Sequence, residues 1–294
     1  MIPSKMVTWV ASLCLLAGSA LAQEDYQIRL DRPHKVGEKF KVAVQAEDTR
    51  GQKVSQDDKV LQDGKVKVKA NLEATMEVLA VDEAGDVTKA AYTVAKFDAE
   101  INGNSTKALD EGAVITAGRK DGQKLYLIKD EPAPQGLARL LDLVIPVKEE
   151  GKPDKDPTFG TKQRQKVGDS WAVNSELIAK GLSGKALKVA AENVSGKTTL
   201  VEAVTVGDVK CLRLKVEVTL QNVSFPLPPG SKTLEATIGI GVEAVLPVDP
   251  ALPLVEDKTR MNMLVKAQIQ AEGNTQLLEM VNNRTATVRY TPVK

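Results

Sequence analysis

Few residues in this chain have the types and spacing that catalysis or cofactor binding requires. The segment from Ala191 to Thr198 (AENVSGKT) fits a relaxed phosphate-binding loop, in which backbone amides and a lysine hold phosphate at the start of a helix. The residues that follow it, up to Val206, are rich in β-branched side chains and predict a strand. Because the required strand–loop–helix context is missing, we interpret the match as an ordinary hairpin turn.

A second match imitates the dinucleotide-binding fingerprint. Gly239, Gly241 and Ala244 have the spacing G-x-G-x-x-A, which in that fold places a pyrophosphate at a helix N-terminus. Pro247 and Pro250 forbid the helix that must follow. We therefore expect a strand whose glycines, on its polar face, allow another backbone to approach closely.

The usual metal ligands and general bases are scarce, since the chain has one histidine and two cysteines. His34 has no second His or Cys nearby and is interpreted as a solvated or capping residue. Cys211 lies on the polar phase at the start of a strand, with no candidate histidine partner except His34. Asp154-Lys155-Asp156 lacks the glycine and glutamate of a calcium loop and is interpreted as a solvated linker. We predict no catalytic residue, no metal site and no cofactor.

Paired carboxylates are the one catalytic arrangement that the composition leaves open. The chain has 39 Asp and Glu residues, and a sequence does not give the distance between any two of them. With 3% aromatic residues there is little material for stacking on sugars or bases. The net charge of +1 argues against a nucleic-acid partner held by bulk charge. A carboxylate-based hydrolase therefore stays as an alternative to a protein without enzymatic activity.

The first 22 residues have the three parts of a secretory signal peptide. Lys5 supplies the positive charge, residues 6–17 form a short apolar run, and Ala20-Leu21-Ala22 is a small-x-small cleavage site before Gln23. The run is shorter than the roughly 20 residues that a membrane-spanning helix needs. We predict cleavage after Ala22, a secreted or periplasmic location, and a processed chain that is not an integral membrane protein.

Period-two alternation dominates the rest of the chain and predicts long, half-buried strands. From Lys65 to Ala80 every even residue is apolar and nearly every odd residue is polar. Asp82 to Asp86, with Gly85, has the composition of a turn into a return strand, Val87 to Ile101. The apolar phase of that return strand shifts, which indicates a bulge near Ala95. Three further ladders run over 212–220, 238–248 and 261–269.

Helical patterns are short and few. One amphipathic helix, closed by Pro146, is predicted from apolar residues at i, i+3, i+4 and i+7, namely Leu137, Leu140, Leu141 and Val144. Asn174 to Leu182 predicts a second helix with an Asn or Ser cap. The polar stretch from Lys148 to Lys162 is interpreted as a connector.

These patterns divide the chain into two strand-rich parts. We predict an N-terminal β-rich half over residues 23–150, a linker over 151–164, and a C-terminal β-rich half over 165–294. Whether the halves are separate domains or parts of a single one stays open at this point.

Two segments that lie 131 residues apart share a pattern. Lys35 to Val42 (KVGEKFKV) and Lys166 to Val173 (KVGDSWAV) match in Lys, Val, Gly, acid, aromatic and Val at equal spacing. The match favours either the duplication of a half-domain or a simpler explanation, a glycine turn that leads into a strand with a core aromatic.

The order of signal peptide, glycine turn, long hairpin strands, short Leu-rich helix and the motif Val167 to Trp171 (VGDSW) resembles an uncharacterised family of exported bacterial β-rich proteins, a domain of unknown function. Those proteins are similar in build to the curved half-barrels of lipoprotein and lipid carriers of the envelope. The resemblance brings no assigned activity and no catalytic residues. It implies a concave apolar surface that holds a lipid-like ligand.

We therefore expect a mainly β protein with minor α content: a long, curved antiparallel sheet or half-barrel, covered on its concave side by one or two short helices. The function we expect is non-catalytic binding of an apolar or lipid-like ligand, with ligand-binding residues that the sequence does not identify. The alternative is a structural or protein-interaction component of the cell envelope. It is suggested by long edge-capable strands and by Pro-rich loops at 225–230 and 246–254.

Overall fold

The computed structural model describes residues 24–57, 59–148, 152–182, 184, 187–271 and 274–293. The predicted signal peptide, 1–22, with its cleavage site, lies outside the described residues. Within the described ranges, no helix combines the length and the apolar character needed to cross a membrane.

The secondary structure of the described residues is dominated by strands. Its elements are β1 Asp25–Tyr26, β2 Lys39–Gln56, β3 Lys59–Val81, β4 Val87–Ile101, β5 Asn104–Leu109, β6 Val114–Lys120, β7 Gln123–Ile128, β8 Glu131–Pro132, α1 Gln135–Val144, α2 Lys155–Phe159, β9 Gln165–Lys166, β10 Ser170–Ala172, α3 Ser175–Leu182, a 3-10 turn Ala191–Asn193, β11 Val194–Val206, β12 Val209–Leu220, β13 Lys232–Pro247, β14 Glu256–Ala271 and β15 Asn274–Pro292.

Thirteen of the strands form one open antiparallel sheet, which confirms the predicted mainly β fold class. The order across the sheet is β10-β11-β12-β13-β14-β15-β2-β3-β4-β6-β7-β8, with β5 paired to β4. The remaining strands, β1 and β9, pair with each other. The strand-rich parts of the chain therefore meet where β15 pairs with β2, over a ladder from Leu277–Ser55 to Pro292–Phe40.

The chain builds this sheet in two meanders. The first starts in the sheet interior at β2 and runs outward to β8 at one edge. A connection that contains α1, α2 and β9 then leads to β10 at the opposite edge, and the second meander returns inward to β15. Both edge strands are only two or three residues long, so they pair with three residues of β11 and two residues of β7.

The predicted bulge and turn of the first meander are confirmed. Glu73 pairs with Lys96 while the next residue, Ala74, pairs with Val94, so Ala95 is the extra residue on β4. This insertion moves the buried positions from Val94 to Phe97. In the turn before β4, the Asp82 carboxylate accepts hydrogen bonds from the amides of Ala84 and Asp86.

One face of the sheet, here called the inner face, carries α1 and the largest core. The face is set by the even residues of β2 and β3, among them Val44 and Leu72, which are fully buried. Leu141 and Val144 of α1 pack into the same cluster, which confirms the predicted amphipathic helix. Leu143 of α1 is buried as well, so the buried stripe is wider than the spacing predicted.

The other end of the inner face is covered differently. The predicted helix α3 is confirmed, and the Asn174 side chain caps it by accepting a hydrogen bond from the Leu177 amide at 3.1 Å. Its Ile178 packs with residues of β11 to β13. Beside it, the N-terminal segment packs against β11, β12 and β13 through Tyr26, Ile28 and Leu30, which contact Leu200, Leu212, Leu214 and Leu246.

The acidic loop expected to be a solvated linker is docked instead. It leads into α2, and the Asp156 carboxylate accepts a hydrogen bond from the Leu30 amide at 2.5 Å. In return the Asp31 carboxylate accepts from the amides of Lys155 and Asp156. The difference arises because these carboxylates satisfy backbone donors that the two segments leave free, which no local pattern reveals.

The two KVG segments form equivalent turns into strands, as the simpler explanation of the match required. Both glycines have positive φ, 89° and 97°. Each turn leads into one strand and bonds to a fully buried residue on the strand paired with it, Val78 of β3 or Leu200 of β11. The glycine amide donates to that residue's carbonyl, and that residue's amide donates back to the backbone carbonyl of the acidic residue, Glu38 or Asp169.

Candidate functional site

The phosphate-loop match has the wrong backbone for that role. Its first residues form the 3-10 turn, and from Val194 onward the chain is strand β11, as the β-branched composition predicted. A turn of 3-10 type therefore replaces the expected hairpin turn. The Thr198 hydroxyl is buried and donates to the Phe159 carbonyl at 2.8 Å. Lys197 is exposed and pairs with Glu217 across the β11–β12 ladder.

The glycines of the dinucleotide-like match lie in β13, which confirms the predicted strand. No described atom lies within 4 Å of a Cβ placed at Gly239 or Gly241, so the expected close backbone approach is wrong at these positions. It occurs at Gly196 instead, where an added Cβ would lie 2.4 Å from the Glu217 carbonyl oxygen. Gly196 therefore serves the packing of β11 on β12.

His34 and Cys211 both have structural surroundings. The His34 Nδ1 lies 3.1 Å from Glu38 Oε2, and its ring meets the edge of Phe40 at 5.4 Å between centroids. Cys211 lies on the opposite face of β12 from Leu212, as predicted, but its side chain is fully buried. Burial raises the pKa of its thiol, which disfavours the reactive thiolate. Across the described part of the chain, no group of three or more His, Cys, Asp or Glu is arranged to hold a metal ion.

Among the described residues of the long strands, two carboxylates lie on the inner face, and they do not face each other. Asp257 pairs with Val288, Val288 pairs with Val44, and Val44 lies four residues before Asp48 on β2. Strand spacings place the two carboxylates roughly 16 Å apart. Glycosidase-type pairs are about 5 to 9.5 Å apart. The two groups therefore cannot act on one bond.

A row of half-buried apolar side chains lies between the two covered ends of the inner face, and we call it the central strip. It comprises inner-face residues of β13, β14 and β15, namely Ile240, Val242, Met261, Met263 and Met280. Ile240 pairs with Met261 across β13 and β14, and Met263 follows two residues later on the same face. The strip is therefore a continuous surface, with three flexible methionines at its centre.

A small polar cluster borders the central strip at the β15–β2 junction. It contains four inner-face residues, which the ladder places in two cross-strand pairs: Arg284 with Asp48, and Asn282 with Arg50. On the other side of β15, Arg284 pairs with Met261 and Asn282 pairs with Met263. Arg284 and Asn282 are therefore immediate neighbours of the methionines across one ladder, and Asp48 and Arg50 lie one strand further away.

The two arginines of the polar cluster have different partners. The Asp48 side chain is 4% exposed and its Oδ2 lies 2.6 Å from Nε of Arg50, whose side chain is 64% exposed. Arg284 instead donates from Nη2 to the carbonyls of Asp142 and Leu143 in the last turn of α1, at 2.8 and 3.3 Å. A cation at that end of a helix is favourable, because the helix dipole and its free carbonyls are negative there.

Two acceptor atoms in the polar cluster stay unsatisfied. Asp48 Oδ1 and Asn282 Oδ1 are buried, and no hydrogen-bond donor among the described residues reaches either of them. A buried polar atom without a partner costs roughly 1 to 3 kcal/mol, and such atoms are few in folded proteins. Asp48 and Asn282 are diagonal neighbours on adjacent strands, where side chains lie within about 8 Å.

Sequence reasoning did not identify these residues, although β2 contains a signal. The buried residues Phe40, Val42, Val44 and Ala46 alternate strictly, and Asp48 continues the same phase. A carboxylate on the apolar phase is an exception to the pattern and marks the position. Arg284 and Asn282 have no comparable local signal, because β15 mixes polar and apolar residues on both faces.

Two shallow hollows lie elsewhere on the surface. One, of about 650 Å³, is lined by residues of the loops around the 3-10 turn, including Lys188, Asn193 and Asn222. The other, of about 440 Å³, is lined by charged outer-face residues of β3 and β4, including Lys69 and Glu100. Neither hollow lies over the central strip.

No family model matches the chain, and no curated protein matches it. Among solved structures, a lipovitellin structure titled for its lipid–protein interactions has a TM-score of 0.32 at 8% identity; the match covers 88% of this chain and 26% of that chain. This chain therefore spans about a quarter of the length of that protein.

Two further solved structures are similar at a lower level. An outer-membrane channel from Pseudomonas putida F1 has a TM-score of 0.20 at 10% identity, covering 90% of this chain and all (100%) of that one. A LolA superfamily protein from Nitrosomonas europaea has a TM-score of 0.14 at 7% identity, covering 89% and 87%. TM-scores this low indicate neither a shared fold nor a shared function.

Proposed function

We propose that this protein binds an apolar or lipid-like ligand on the central strip and has no catalytic activity. The observation that carries the proposal is the half-buried row of aliphatic and methionine side chains between the two covered ends of the inner face. At the ends, α1, α3 and the N-terminal segment fill the face. Between them the strip keeps apolar surface in water.

The chemistry of the strip suits a flexible apolar ligand. Burying the exposed remainder of a partly buried side chain of this size gains roughly 0.5 to 1 kcal/mol, so an acyl chain laid across five of them gains several. Methionine adapts its shape and makes polarizable contacts, which favours ligands of variable form. The three methionines lie on the adjacent strands β14 and β15, where one chain can contact them together.

The absence of catalysis and the location are part of the same proposal. The separation of Asp48 and Asp257 supports a non-enzymatic role, since the two carboxylates are too far apart to act on the same substrate bond. The signal-peptide pattern of residues 1–22 supports export, so a secreted or periplasmic protein would meet lipid-like molecules of the envelope.

The test is native mass spectrometry of the protein purified without detergent from its own envelope, followed by solvent extraction and lipid analysis. The expected result is a stoichiometric added mass that extracts as lipid. The double variant Met261→Gln and Met263→Gln should lose that mass. Leu264→Gln is the matched control, since Leu264 directly follows Met263 and lies on the opposite face of β14. A bare monomer mass for the unaltered protein would overturn the proposal.

A second candidate function, contact with another envelope protein, is favoured by one feature. The β2–β3 hairpin extends beyond β4, because pairing of β3 with β4 begins only at Val68. Val60, Leu61 and Val66 are exposed on this extension. Crosslinking from a cysteine placed at Val60 in the native envelope should capture one reproducible partner, and recovery of none would reject this role.

A further inference from the structure

The polar cluster beside the central strip offers two buried acceptors and no donor for them. Asp48 Oδ1 and Asn282 Oδ1 are unsatisfied among the described residues, and the Asp48 side chain is more than nine-tenths buried. Both lie on the inner face: Asn282 pairs with Met263 across the β14–β15 ladder, while Asp48 lies one strand further away, opposite Arg284. Each unsatisfied acceptor costs free energy in the protein without a ligand. A hydrogen bond from a donor on the ligand removes that cost.

We propose that these two oxygens accept hydrogen bonds from the polar end of the ligand, and that this end is an uncharged donor, a hydroxyl or an amide N–H. The proposal rests on the proposed function, since it assigns the head of the molecule whose chain lies on the central strip. The ligand class is therefore an aliphatic chain with a neutral, hydrogen-bond-donating end group, such as a monoacylglycerol.

The cluster disfavours cationic and anionic end groups for different reasons, the first by its charge and the second by its lack of a free donor. The carboxylate of Asp48 already has the Arg50 guanidinium at 2.6 Å. Arg284, whose guanidinium bonds to the end of α1, is its cross-strand neighbour in the ladder. Two cations and one anion leave a positive balance, which disfavours an ammonium end group. A free carboxylate or phosphate end group brings no donor at neutral pH and would place acceptors against acceptors.

Access to the site follows from the unequal exposure of its ion pair. The Arg50 side chain is 64% exposed and lies at the solvent side of the buried Asp48. Exposed arginine side chains change rotamer on the picosecond-to-nanosecond timescale. Rotation of Arg50 away from Asp48 therefore exposes the carboxylate without movement of the sheet.

The experiment compares probes with the same twelve-carbon chain and different ends. Monododecanoylglycerol, methyl dodecanoate and dodecylammonium are titrated against the full processed chain by isothermal calorimetry below their aggregation concentrations. The expected result is that monododecanoylglycerol binds about tenfold more tightly than methyl dodecanoate, the difference of one well-placed hydrogen bond to a buried acceptor. Dodecylammonium should bind no more tightly than the methyl ester.

The double variant Asp48→Val and Asn282→Val should abolish this preference while it still binds the methyl ester. A matched control is Asn283→Val, because Asn283 lies on the opposite face of β15, in register with Thr49 and Asn262. The control should keep the tenfold preference.

The outcomes separate the two proposals. If all probes bind equally, the oxygens are satisfied by water and the head-group proposal fails, while the binding function stands. If no probe binds the unaltered protein, the proposed function fails and the head-group proposal fails with it. A preference that persists in the double variant also overturns the assignment to Asp48 and Asn282.

Discussion

Arg284 lies directly opposite Asp48 across the β15–β2 junction, yet its guanidinium bonds to the last turn of α1. The carboxylate is left to Arg50, on its own strand. One residue of the second meander therefore anchors the helix that covers the first. Arg284 links three parts of the fold: the junction, the helix and the border of the central strip.

Replacing Arg284 should destabilise the protein through α1. Arg284→Met removes the donor for two carbonyls at the helix end, and we expect the free energy of unfolding to fall by about 1 to 2 kcal/mol. Urea denaturation measures it. Arg289→Met is the control, because Arg289 forms an exposed pair with Glu256 and should cost less than about 1 kcal/mol. Equal losses in the two variants would show that Arg284 does not anchor the helix.

The two partners of the Asp48–Arg50 pair should respond with opposite signs. Arg50→Ala leaves a buried carboxylate without its cation, so we expect a loss of about 1 to 3 kcal/mol in the free energy of unfolding. Asp48→Val removes the buried carboxylate and restores the apolar phase of β2, so we expect a gain of about 1 kcal/mol. Thermal denaturation of both variants checks this. A loss in Asp48→Val as large as in Arg50→Ala would contradict it.

The equivalent turns before β2 and β10 should depend on their glycines in the same way. Alanine at Gly37 or Gly168 must adopt positive φ, and each substitution should cost about 1 kcal/mol or more. Gly239→Ala is the control, since Gly239 lies in a strand with open space around it, and it should be neutral or slightly stabilising. Chemical denaturation of the three variants gives the comparison. Costs at only one of the two turns would show that they are not equivalent.

Asp257 should make stability fall as the pH rises. Burial raises the pKa of its carboxyl above the ordinary value of 3.8, against the opposing hydrogen bond from the Thr259 hydroxyl. Between the ordinary pKa, which applies to the unfolded state, and the raised pKa of the folded state, the folded protein binds more protons than the unfolded one. The contribution of Asp257 to stability therefore decreases as the pH rises through that window. Below the ordinary pKa both states are protonated and the contribution is constant.

The variant Asp257→Asn tests this linkage. It should be more stable than the unaltered protein at pH 7, and the difference should vanish near pH 3. Urea midpoints measured from pH 3 to pH 7 report it. Glu256→Gln is the neighbouring control, and it should be less stable at pH 7 because it loses the pair with Arg289. A stability difference for Asp257→Asn that does not change with pH would refute the shift.

The thiol of Cys211 should be protected by the fold. Because it is fully buried and burial raises its pKa, we expect reaction with a disulfide reagent at pH 8 only after unfolding. Thiol titration in native buffer and in guanidinium chloride compares the two states. Rapid reaction in native buffer would contradict the burial.

The long strands, the bulge at Ala95 and both main helices were predictable because their signals are local. Alternation along β3 reports one buried face, and a phase shift within β4 reports one inserted residue. The helices α1 and α3 follow from apolar spacing and from an Asn cap. The domain boundaries proposed for the two halves stay a prediction.

The candidate site was less accessible to sequence reasoning, since its residues meet only through long-range pairing. Asp48 was visible as a polar exception in an apolar phase, but its neighbour Arg284 belongs to a strand far away in the sequence. The docking of the N-terminal segment on β11 to β13 also depends on tertiary contact, through Tyr26, Ile28 and Leu30. Period-two patterns give a strand its face but not its neighbour in the sheet.

The pairing of β15 with β2 sets the order in which the protein is completed. Phe40 and Pro292 are cross-strand partners, about 250 residues apart, so β2 has no neighbour on that side until β15 has been synthesised. Contacts of such separation slow folding, and an unpaired strand invites pairing with other chains. The growing polypeptide therefore needs protection of β2 during biogenesis, and any truncation that removes β15 leaves an aggregation-prone edge in the middle of the sheet.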